Sequence, residues 1–467
     1  MKQKAFFVGA GGIGMAALER YCLSKGMEVG GYDRTPTELT SQLASEGVEI
    51  TFDDSAEAIP VRFRDPSETL VIYTPAIPKS HPGLCWFRSN GFEVIKRSRL
   101  LGDITRSSHG ICFAGTHGKT TTSSMAAHIL HSTPGVGCNA FLGGVLRNYN
   151  SNFLLSADSP WTVIEADEFD RSFHTLSPWI AVVTATDPDH LDIYGTEEAY
   201  LESFSHFTSL IRPGGFLVMH TGLKMQPRVT DGVTVYTYGT DADAQFRAIN
   251  IRHSYGRVLF DIQMPDGTVL EDFSPGVPVE INIDNTVAAV AACWLTGKMD
   301  VDRAREAMAS FMGPKRRFEL RWREERPGGR VIVDDYAHHP EELRASIMSM
   351  RKLYPGRRLT VAFQPHLYTR TRDFAPQFAD ALSLADEVVM ISLYPAREEP
   401  IPGISSQTIL DLINGSEKML IDKEDFAKTI KKRNFEILLT AGAGDLPDYI
   451  PELISGLEAQ TNTNLAS

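Results

Sequence analysis

A glycine-rich loop between an apolar run and a helix-compatible stretch constrains the fold most. Ile111 to Ala114 is apolar and predicts a buried strand, and Thr120 to Ser132 suits a helix. Between them lies Gly115-Thr-His-Gly-Lys119. Backbone N–H groups at a helix start attract phosphate oxygens, and glycine lets the backbone approach them closely. Lys119 would reach the β- and γ-phosphates of a nucleotide and the Thr120 hydroxyl would hold Mg²⁺, so this stretch predicts a nucleotide site in an α/β domain.

The loop departs from the usual spacing of such motifs. In G-x-x-x-x-G-K-[ST] the first glycine would fall at position 113, which holds Phe113. The glycine at 115 therefore indicates a shortened phosphate loop. The alternative is an ordinary helix N-terminus with an unrelated lysine.

Length and composition narrow the class of protein. A chain of 467 residues predicts about two to four domains. The net charge of −13 argues against a general nucleic-acid binder, whose phosphate contacts need clustered Lys and Arg. The five cysteines are scattered and form no C-x-x-C pair, which suits a reducing cytoplasm. Because no apolar run reaches about eighteen residues, we expect no membrane insertion.

The N-terminus carries a second glycine-rich turn. Ala5 to Val8 predicts a strand, Gly9-Ala-Gly-Gly-Ile-Gly14 follows, and a second strand from Met27 ends at Asp33. This is the G-x-G-x-x-G fingerprint of dinucleotide binding. A nicotinamide or flavin enzyme, a non-redox diphosphate ligand such as a nucleotide sugar, and a simple packing turn all remain possible.

Acidic residues follow two further predicted strands. Trp161 to Ile164 leads into Glu165-Ala-Asp-Glu-Phe-Asp170, and Ile180 to Thr186 leads into Asp187-Pro-Asp-His190. Carboxylates downstream of a phosphate loop favour a Mg²⁺ or Mn²⁺ site, and His190 could bind a metal or transfer a proton. The alternatives are a solvated turn and a structural histidine.

The middle and C-terminal parts of the chain show two different secondary-structure patterns. Residues 231–278 are β-rich, and Asn282 and Asn285 precede a helix of small residues, where asparagine is either an N-cap or an adenine contact. From about residue 315 strands and helices alternate again. Polar stretches 336–342 and 364–373 each follow a strand, at the edge where such sheets bind ligands.

The order of these motifs is more specific than any one of them. It runs GAGGIG, GTHGKTTT, EADEFD, DPDHLDIY, a helix-opening Asn, KRRFE, DDYAHHPEE, FQPHLYTRTRD and TAGAGD. This series resembles the ATP-dependent, amide-bond-forming muramyl ligases of peptidoglycan synthesis, over almost the whole chain. The resemblance implies an α/β fold of three domains: a Rossmann-like UDP-sugar domain (1–106), a central P-loop ATPase-like domain with a mostly parallel sheet and a β-rich appendage (107–313), and a Rossmann-like amino-acid domain (314–467).

Some stretches distinguish members of the family. The His-His pair within 336–340 and the run 364–372 are typical of members that attach L-alanine to UDP-N-acetylmuramate. Members that recycle the murein tripeptide carry a double His but usually lack the second run. No lysine lies between Lys119 and Lys224, which disfavours the later-acting members. Two residues, Leu367 and Ile281, depart from the sequence pattern of the L-alanine-attaching members. Outside the family, the alternative function is that of an NAD-dependent dehydrogenase.

The resemblance also implies a role for individual residues. For catalysis we expect Lys119, His190, Arg370 and His338. For ATP we expect Gly115, Thr116, His117, Gly118, Lys119, Thr120, Thr121, Asn285, Arg317 and Asp335. For the UDP-sugar we expect Gly11, Gly12, Ile13, Asp33, Thr74 and Ala76. For the amino acid we expect Tyr336, His338, Arg370 and Arg372, and for Mg²⁺ or Mn²⁺ Thr120, Glu165 and His190.

The implied partners are small molecules. They are ATP, UDP-N-acetylmuramate and L-alanine, with no nucleic acid and no redox cofactor. We expect a cytoplasmic enzyme that is a monomer or a weak homodimer.

Overall fold

The computed structural model describes residues 2–189, 191–254, 257–326, 328–396, 398–433 and 435–465. The chain forms two compact units. The first unit comprises Met1–Asn250, Phe260–Phe273 and Asp284–Phe311, and the second comprises Ile251–Leu259, Ser274–Ile283 and Met312–Ser467. The expected domain boundaries after residues 106 and 313 stay predictions.

Strands and helices alternate through most of the chain. The strands are β1 Lys4–Val8, β2 Glu28–Tyr32, β3 Glu49–Thr51, β4 Thr69–Tyr73, β5 Glu93–Lys96, β6 His109–Ala114, β7 Asn139–Leu146, β8 Ser151–Leu154, β9 Trp161–Glu165, β10 Ile180–Val183, β11 Phe216–His220, β12 Thr234–Gly239, β13 Phe246–Ser254, β14 Arg257–Gln263, β15 Val269–Phe273, β16 Glu319–Arg323, β17 Val331–Asp335, β18 Leu359–Phe363, β19 Glu387–Ile391, β20 Glu417–Ile421 and β21 Ile437–Ala441. The α-helices are α1 Ile13–Ser24, α2 Glu38–Ser45, α3 Pro82–Ser89, α4 Arg97–Ser107, α5 Lys119–Ser132, α6 Leu191–Tyr194, α7 Glu197–Ser209, α8 Ile281–Trp294, α9 Val301–Ser310, α10 Pro340–Leu353, α11 Tyr368–Leu382, α12 Ser406–Leu410, α13 Phe426–Lys431 and α14 Ile450–Leu465.

The N-terminal sheet has five parallel strands in the order β3-β2-β1-β4-β5. The chain leaves β1 in one direction toward β2 and β3 and later returns on the other side to β4. The loops after β1 and β4 therefore diverge, which opens a ligand crevice at the carboxyl ends of these strands. The glycine turn and Thr74 both lie at this point of strand-order reversal.

The central sheet has ten strands in the order β15-β14-β13-β12-β11-β10-β6-β9-β7-β8. From β12 to β7 neighbouring strands are parallel, with β6 between β10 and β9. The loops after β6, β9 and β10 therefore emerge side by side. The β-rich stretch expected as an appendage continues this sheet, and its last two strands, β14 and β15, pair antiparallel.

The third sheet has six strands in the order β16-β17-β21-β18-β19-β20. Only β16, at its edge, runs antiparallel to its neighbour among the pairs described. The loops after β17, β18, β19 and β21 share one edge, which brings together the polar stretches that follow these strands. Among the described helices, none has the length and apolar character to cross a membrane.

Candidate functional site

The phosphate loop, residues 115–119, connects β6 to α5 and is shaped by its two glycines. Gly115 has φ +144°, and a Cβ there would lie 2.1 Å from Thr184 Oγ1 and 2.8 Å from Ala185 N. Gly118 has φ +83°, and a Cβ there would lie 2.8 Å from Asn285 Oδ1. Both positions combine a left-handed backbone with close neighbours, so only glycine fits without strain.

The loop after β10 fixes the phosphate loop from outside. The Thr116 N–H donates to Ala185 O over 3.0 Å. The Thr116 hydroxyl donates to Asp187 O over 2.7 Å and lies 2.9 Å from the Tyr200 hydroxyl. The Thr184 hydroxyl donates to His117 O. The backbone at 115–118 is therefore held in place before any ligand arrives, which is what a preorganised anion site requires.

Lys119 is the first residue of α5 and forms an ion pair with Glu168. Its Nζ lies 2.7 Å from Glu168 Oε2, and the Glu168 side chain is only 3% exposed. Burial alone would lower the pKa of Lys119, but Glu168, Glu165 and Asp167 together raise it. Lys119 is therefore a fully charged cation beside the phosphate loop. Sequence reasoning treated Glu168 only as one of four acids, because nothing local marks which acid meets the lysine.

Glu165, the expected metal ligand, ends β9 beside β7. Its Oε2 accepts a 3.0 Å hydrogen bond from the Gly143 N–H, and a Cβ at Gly143 would lie 2.2 Å from that oxygen. Within the part of the chain that the structure describes, no three His, Cys, Asp or Glu side chains come together as a metal-ligand set. His190, another of the three expected ligands, lies outside the described residues. One or two carboxylates with a hydroxyl and substrate phosphates suffice for Mg²⁺, so the side chains of Glu165 and Thr120 are of ligand types that suit that ion.

Asn285 lies inside α8, although the sequence suggested that it precedes the helix. The helix begins at Ile281, so the N-cap interpretation of Asn282 and Asn285 is wrong. Asn285 is buried, and its Oδ1 accepts a 3.0 Å hydrogen bond from the Thr122 hydroxyl. Because it also lies against Gly118, this asparagine belongs to the surroundings of the phosphate loop.

The expected UDP-sugar residues gather at the carboxyl ends of β1, β2 and β4. The Gly11 N–H donates to Asp33 Oδ2 over 2.7 Å. A Cβ at Gly9 would lie 2.6 Å from Thr74 Cγ2, which shows how closely the loops after β1 and β4 approach. Gly12 is the N-cap of α1, Ile13 begins that helix, and Ala76 is exposed in the loop after β4.

A cavity of about 190 Å³ lies in the first unit and reaches from α1 to Glu165. Its lining includes Ile13, Gly14, Arg97, Ser98, Phe141, Gly143, Glu165 and Asp167. The guanidinium of Arg97 forms an ion pair with Asp167, with Nη2 3.0 Å from Oδ2. Sequence reasoning missed Arg97, because a charge-rich helix start such as Lys96-Arg-Ser-Arg99 has the pattern of a solvated surface.

In the second unit, Asp335 ends β17 with both carboxylate oxygens engaged. Oδ1 accepts a 3.1 Å hydrogen bond from the Phe318 N–H, and Oδ2 accepts from the Ser346 hydroxyl. Burial raises the pKa of Asp335. This carboxyl therefore fixes the backbone beside Arg317, whose guanidinium lies 5.3 Å from the Tyr336 ring centroid.

His338 lies in the loop after β17 and is neutral at neutral pH. Its Nδ1 is 3.1 Å from Tyr336 O and 3.3 Å from Glu342 Oε2. Burial, reinforced by the nearby cations Arg370 and Arg317, lowers the pKa of His338 to about 4 despite the opposing effect of Glu342. A neutral imidazole can accept a hydrogen bond.

Arg370 and Arg372 lie on different faces of α11. Arg370 Nη1 is 3.5 Å from His366 Nδ1, and the His366 ring is 6.5 Å from the His338 ring. Arg372 is half exposed and paired with Asp373 over 2.7 Å. Residues two apart on a helix do not share a face. The structure therefore brings Arg370 to His338 but does not bring Arg372 there.

Two buried polar side chains near this edge were given no individual role from the sequence. Asp334 is 1% exposed, and its Oδ1 accepts a 2.6 Å hydrogen bond from the Thr440 hydroxyl. Burial raises its pKa to about 6. Gln364 joins the loops after β18 and β21, since its amide donates to Asp445 over 2.9 Å. Buried polar positions of this kind could be suspected only from their place at strand ends.

Fold and site together define a multidomain P-loop nucleotide-binding protein with three α/β sheets. Three family models match it in order: "Mur ligase family, catalytic domain" at residues 4–109, "Mur ligase middle domain" at 113–293 and "Mur ligase, glutamate ligase domain" at 316–445. The chain belongs to the Mur ligase family, which confirms the resemblance drawn from the motifs.

Individual relatives match nearly end to end. A UDP-N-acetylmuramate–L-alanine ligase of Phocaeicola vulgatus is 54% identical over 452 residues, covering 97% of each chain. One of Porphyromonas gingivalis is 49% identical over 446 residues, covering 95% of this chain and 96% of the relative. The crystal structure of a UDP-N-acetylmuramate-alanine ligase from Thermotoga maritima is 26% identical with a TM-score of 0.80, covering 98% of this chain and 99% of that one.

Proposed function

We propose that this chain uses ATP to join L-alanine to the carboxylate of UDP-N-acetylmuramate, in the synthesis of peptidoglycan precursors. The near-complete match to relatives of that name, at 54% and 49% identity, carries this proposal. The names of the same relatives do not favour the alternative function, ligation of the murein tripeptide in recycling. The dehydrogenase alternative leaves the phosphate loop and the Lys119–Glu168 pair without a use.

The chemistry explains why a phosphate site is needed. A carboxylate does not acylate an amine unaided, because oxide would have to leave. Transfer of the γ-phosphoryl group of ATP converts the muramyl carboxylate to an acyl phosphate and leaves ADP. The alanine amine then attacks the carbonyl carbon, a tetrahedral intermediate forms, and inorganic phosphate leaves as the amide bond remains.

The first unit would bind ATP and the nucleotide sugar. Phosphoryl transfer depends mainly on positioning and charge neutralisation, which the loop amides and the charged Lys119 can supply. Thr120 and Glu165 are the side chains we assign to Mg²⁺, with His190 assigned to a second ion. The ion would neutralise phosphate charge during transfer. Asn285, beside Gly118, is our candidate for the adenine contact.

The glycine turn would bind the diphosphate of the nucleotide sugar. Gly11 and Gly12 lie at the start of α1, where the positive end of the helix favours an anion. Asp33, Thr74 and Ala76 border the same crevice and would contact the rest of the UDP group.

The second unit would bind the amino acid. Arg370 suits the alanine carboxylate, because its planar fork can bond both oxygens. Tyr336 and His338 would lie near the amine, and the low pKa of His338 leaves its imidazole able to accept a hydrogen bond from it. Arg317 is our candidate for a phosphate contact, with Asp335 holding the backbone beside it.

The deciding experiment is phosphate release from ATP with Mg²⁺ and UDP-N-acetylmuramate, with one amino acid added at a time. We expect release that depends on L-alanine, together with one new UDP-linked product whose mass has increased by one alanine residue. The matched control is Lys119→Ala under the same conditions. Release that occurs only with the tripeptide L-Ala-γ-D-Glu-diaminopimelate would overturn the proposal in favour of the recycling reaction.

A further inference from the structure

Arg97 and Asp167 form an ion pair, and both line the cavity that Gly14 and Glu165 also line. Arg97 opens α4, which follows β5 of the N-terminal sheet, whereas Asp167 follows β9 of the central sheet. Their side chains are 23% and 40% exposed, which leaves both accessible from the cavity. A Cβ added at Gly14 would lie 2.1 Å from Arg97 Nη1, so the guanidinium rests directly on the first turn of α1.

This placement of Arg97 is electrostatically unusual. The N-terminus of a helix carries a partial positive charge and favours anions. The first turn of α1 contains no acidic residue, and its N-cap Gly12 offers no side chain. A cation therefore lies against the positive end of a helix, and Asp167 is the counter-charge that the structure places beside it. An anion at this position would interact favourably with the helix and the arginine together.

We infer that Arg97 binds an anionic group of the nucleotide sugar, and that Asp167 is an internal competitor which this group displaces. The inference deepens the proposed function and rests on it. The anion is either the diphosphate or the muramyl carboxylate, which share this chemistry. Asp167 thus neutralises Arg97 while no substrate is bound, and the bound substrate exchanges its own charge for that of Asp167.

The phosphate loop repeats the same arrangement. Lys119, the cation assigned to ATP phosphates, is paired with Glu168, the residue next to Asp167. Adjacent carboxylates of one loop therefore engage the cations of two anion sites. A second ion pair, Lys96 with Asp170, joins the same two segments over 2.7 Å outside the cavity lining. The Lys96–Asp170 pair supplies a matched control, because removing it breaks an ion pair between the same segments without removing a side chain that lines the cavity.

The test is calorimetric binding of UDP-N-acetylmuramate to the full chain without ATP or alanine. Arg97→Ala should raise Kd by roughly 10- to 100-fold, the range for one charge-assisted hydrogen bond, and Arg97→Lys should recover part of it. Lys96→Ala should leave Kd within about twofold, because its partly exposed ion pair contributes little. Equal effects of Arg97→Ala and Lys96→Ala would overturn the inference and indicate a structural role.

Asp167→Asn provides the more demanding test, because its expected effect has the opposite sign. Removing the competitor should lower Kd by about two- to fivefold, as expected for an ion pair of this exposure. In an Arg97→Ala background the same change should have no effect. Weaker binding by Asp167→Asn alone would show that Asp167 itself contacts the substrate and would refute its role as a competitor.

Binding of a second ligand, UDP, identifies which anionic group Arg97 binds. If Arg97 binds the diphosphate, Arg97→Ala should weaken UDP and UDP-N-acetylmuramate by the same factor. If it binds the carboxylate, UDP should be unaffected. If the unaltered chain binds neither ligand, the proposed function itself fails. If it binds both and Arg97→Ala changes neither, only the present inference fails.

Discussion

Gly118 offers the most direct test of how the phosphate loop is built. The Gly118→Ala variant carries two costs. A left-handed backbone costs an L-residue about 1–2 kcal/mol. The added methyl group, 2.8 Å from Asn285 Oδ1, would displace that side chain from its hydrogen bond with Thr122, at about 1 kcal/mol more. We expect the free energy of unfolding to fall by about 2–3 kcal/mol in urea titrations. We also expect the Kd for ATP, measured by calorimetry, to rise at least ~10-fold. The added methyl group lies in the phosphate loop itself, and a loss of about 1.4 kcal/mol there corresponds to a factor of ten.

The chain contains a matched control at Gly135, just beyond α5. Gly135 has φ +74°, and a Cβ there would meet nothing within 4 Å. Gly135→Ala should therefore cost only the backbone term, about 1–2 kcal/mol, and should leave ATP affinity unchanged. In a double-mutant cycle, the Gly118→Ala/Asn285→Ala double variant should lose about 1 kcal/mol less free energy of unfolding than the sum of the losses of the two single variants. If Gly118→Ala and Gly135→Ala lower the free energy of unfolding equally, the contact with Asn285 is not the reason that position 118 requires glycine. Strict additivity of Gly118→Ala with Asn285→Ala would refute it as well.

Three further predictions concern ionisable groups. Lys119→Ala should lower kcat by at least ~100-fold in the phosphate-release assay, because one preorganised donor to the transferring group is lost; a variant that keeps most activity would exclude the lysine. Asp334→Asn should raise the free energy of unfolding at pH 7 by up to about 3 kcal/mol, since burial raises the pKa of Asp334 from 3.8 to about 6 and each pKa unit corresponds to about 1.4 kcal/mol. Ionised Asp334 is the destabilising form, so the difference from Asn should be full above about pH 6 and should vanish toward pH 4; a difference that grows on acidification would contradict the sign. Because the pKa of His338 is about 4, His338→Gln should lower kcat without changing the shape of its pH profile above about pH 6; a lost ionisation near pH 7 would show that His338 titrates there.

The fold was largely predictable because buried parallel strands are short apolar runs with β-branched residues. The run Trp161 to Ile164 was expected as a strand and forms most of β9, Trp161–Glu165. The start of α8 was not predictable in this way. Asn282 and Asn285 are strong start signals in a sequence, but the helix begins at Ile281, and the Asn282 N–H already donates to Val279 O over 2.9 Å. Tertiary contact with the phosphate loop, not capping, explains why Asn285 is polar and buried.

The site was predictable in its motifs but not in its pairings. The sequence indicates that acids follow β9, because their type and position suit metal or phosphate chemistry. It does not indicate that Glu165 meets Gly143 while Glu168 meets Lys119, since this depends on how the chain turns after the strand. Arg97 was missed for a related reason. Its significance comes from Gly14, more than eighty residues earlier, and only the sheet order brings them together.

The Lys119–Glu168 pair has a consequence for how ATP is received. Desolvation favours the neutral form of a buried lysine, so Lys119 without nearby carboxylates would lose part of its charge. Glu168, Glu165 and Asp167 reverse that effect and raise the pKa of Lys119. Because breaking a buried ion pair leaves a costly unpaired charge, the phosphate must replace Glu168 as partner while Glu168 finds another cation. A metal ion arriving with the nucleotide would provide one. We therefore expect Glu168→Gln to weaken ATP binding in the presence of Mg²⁺ but not in its absence, and calorimetry under the two conditions measures both. Equal weakening under the two conditions would refute this exchange of partners.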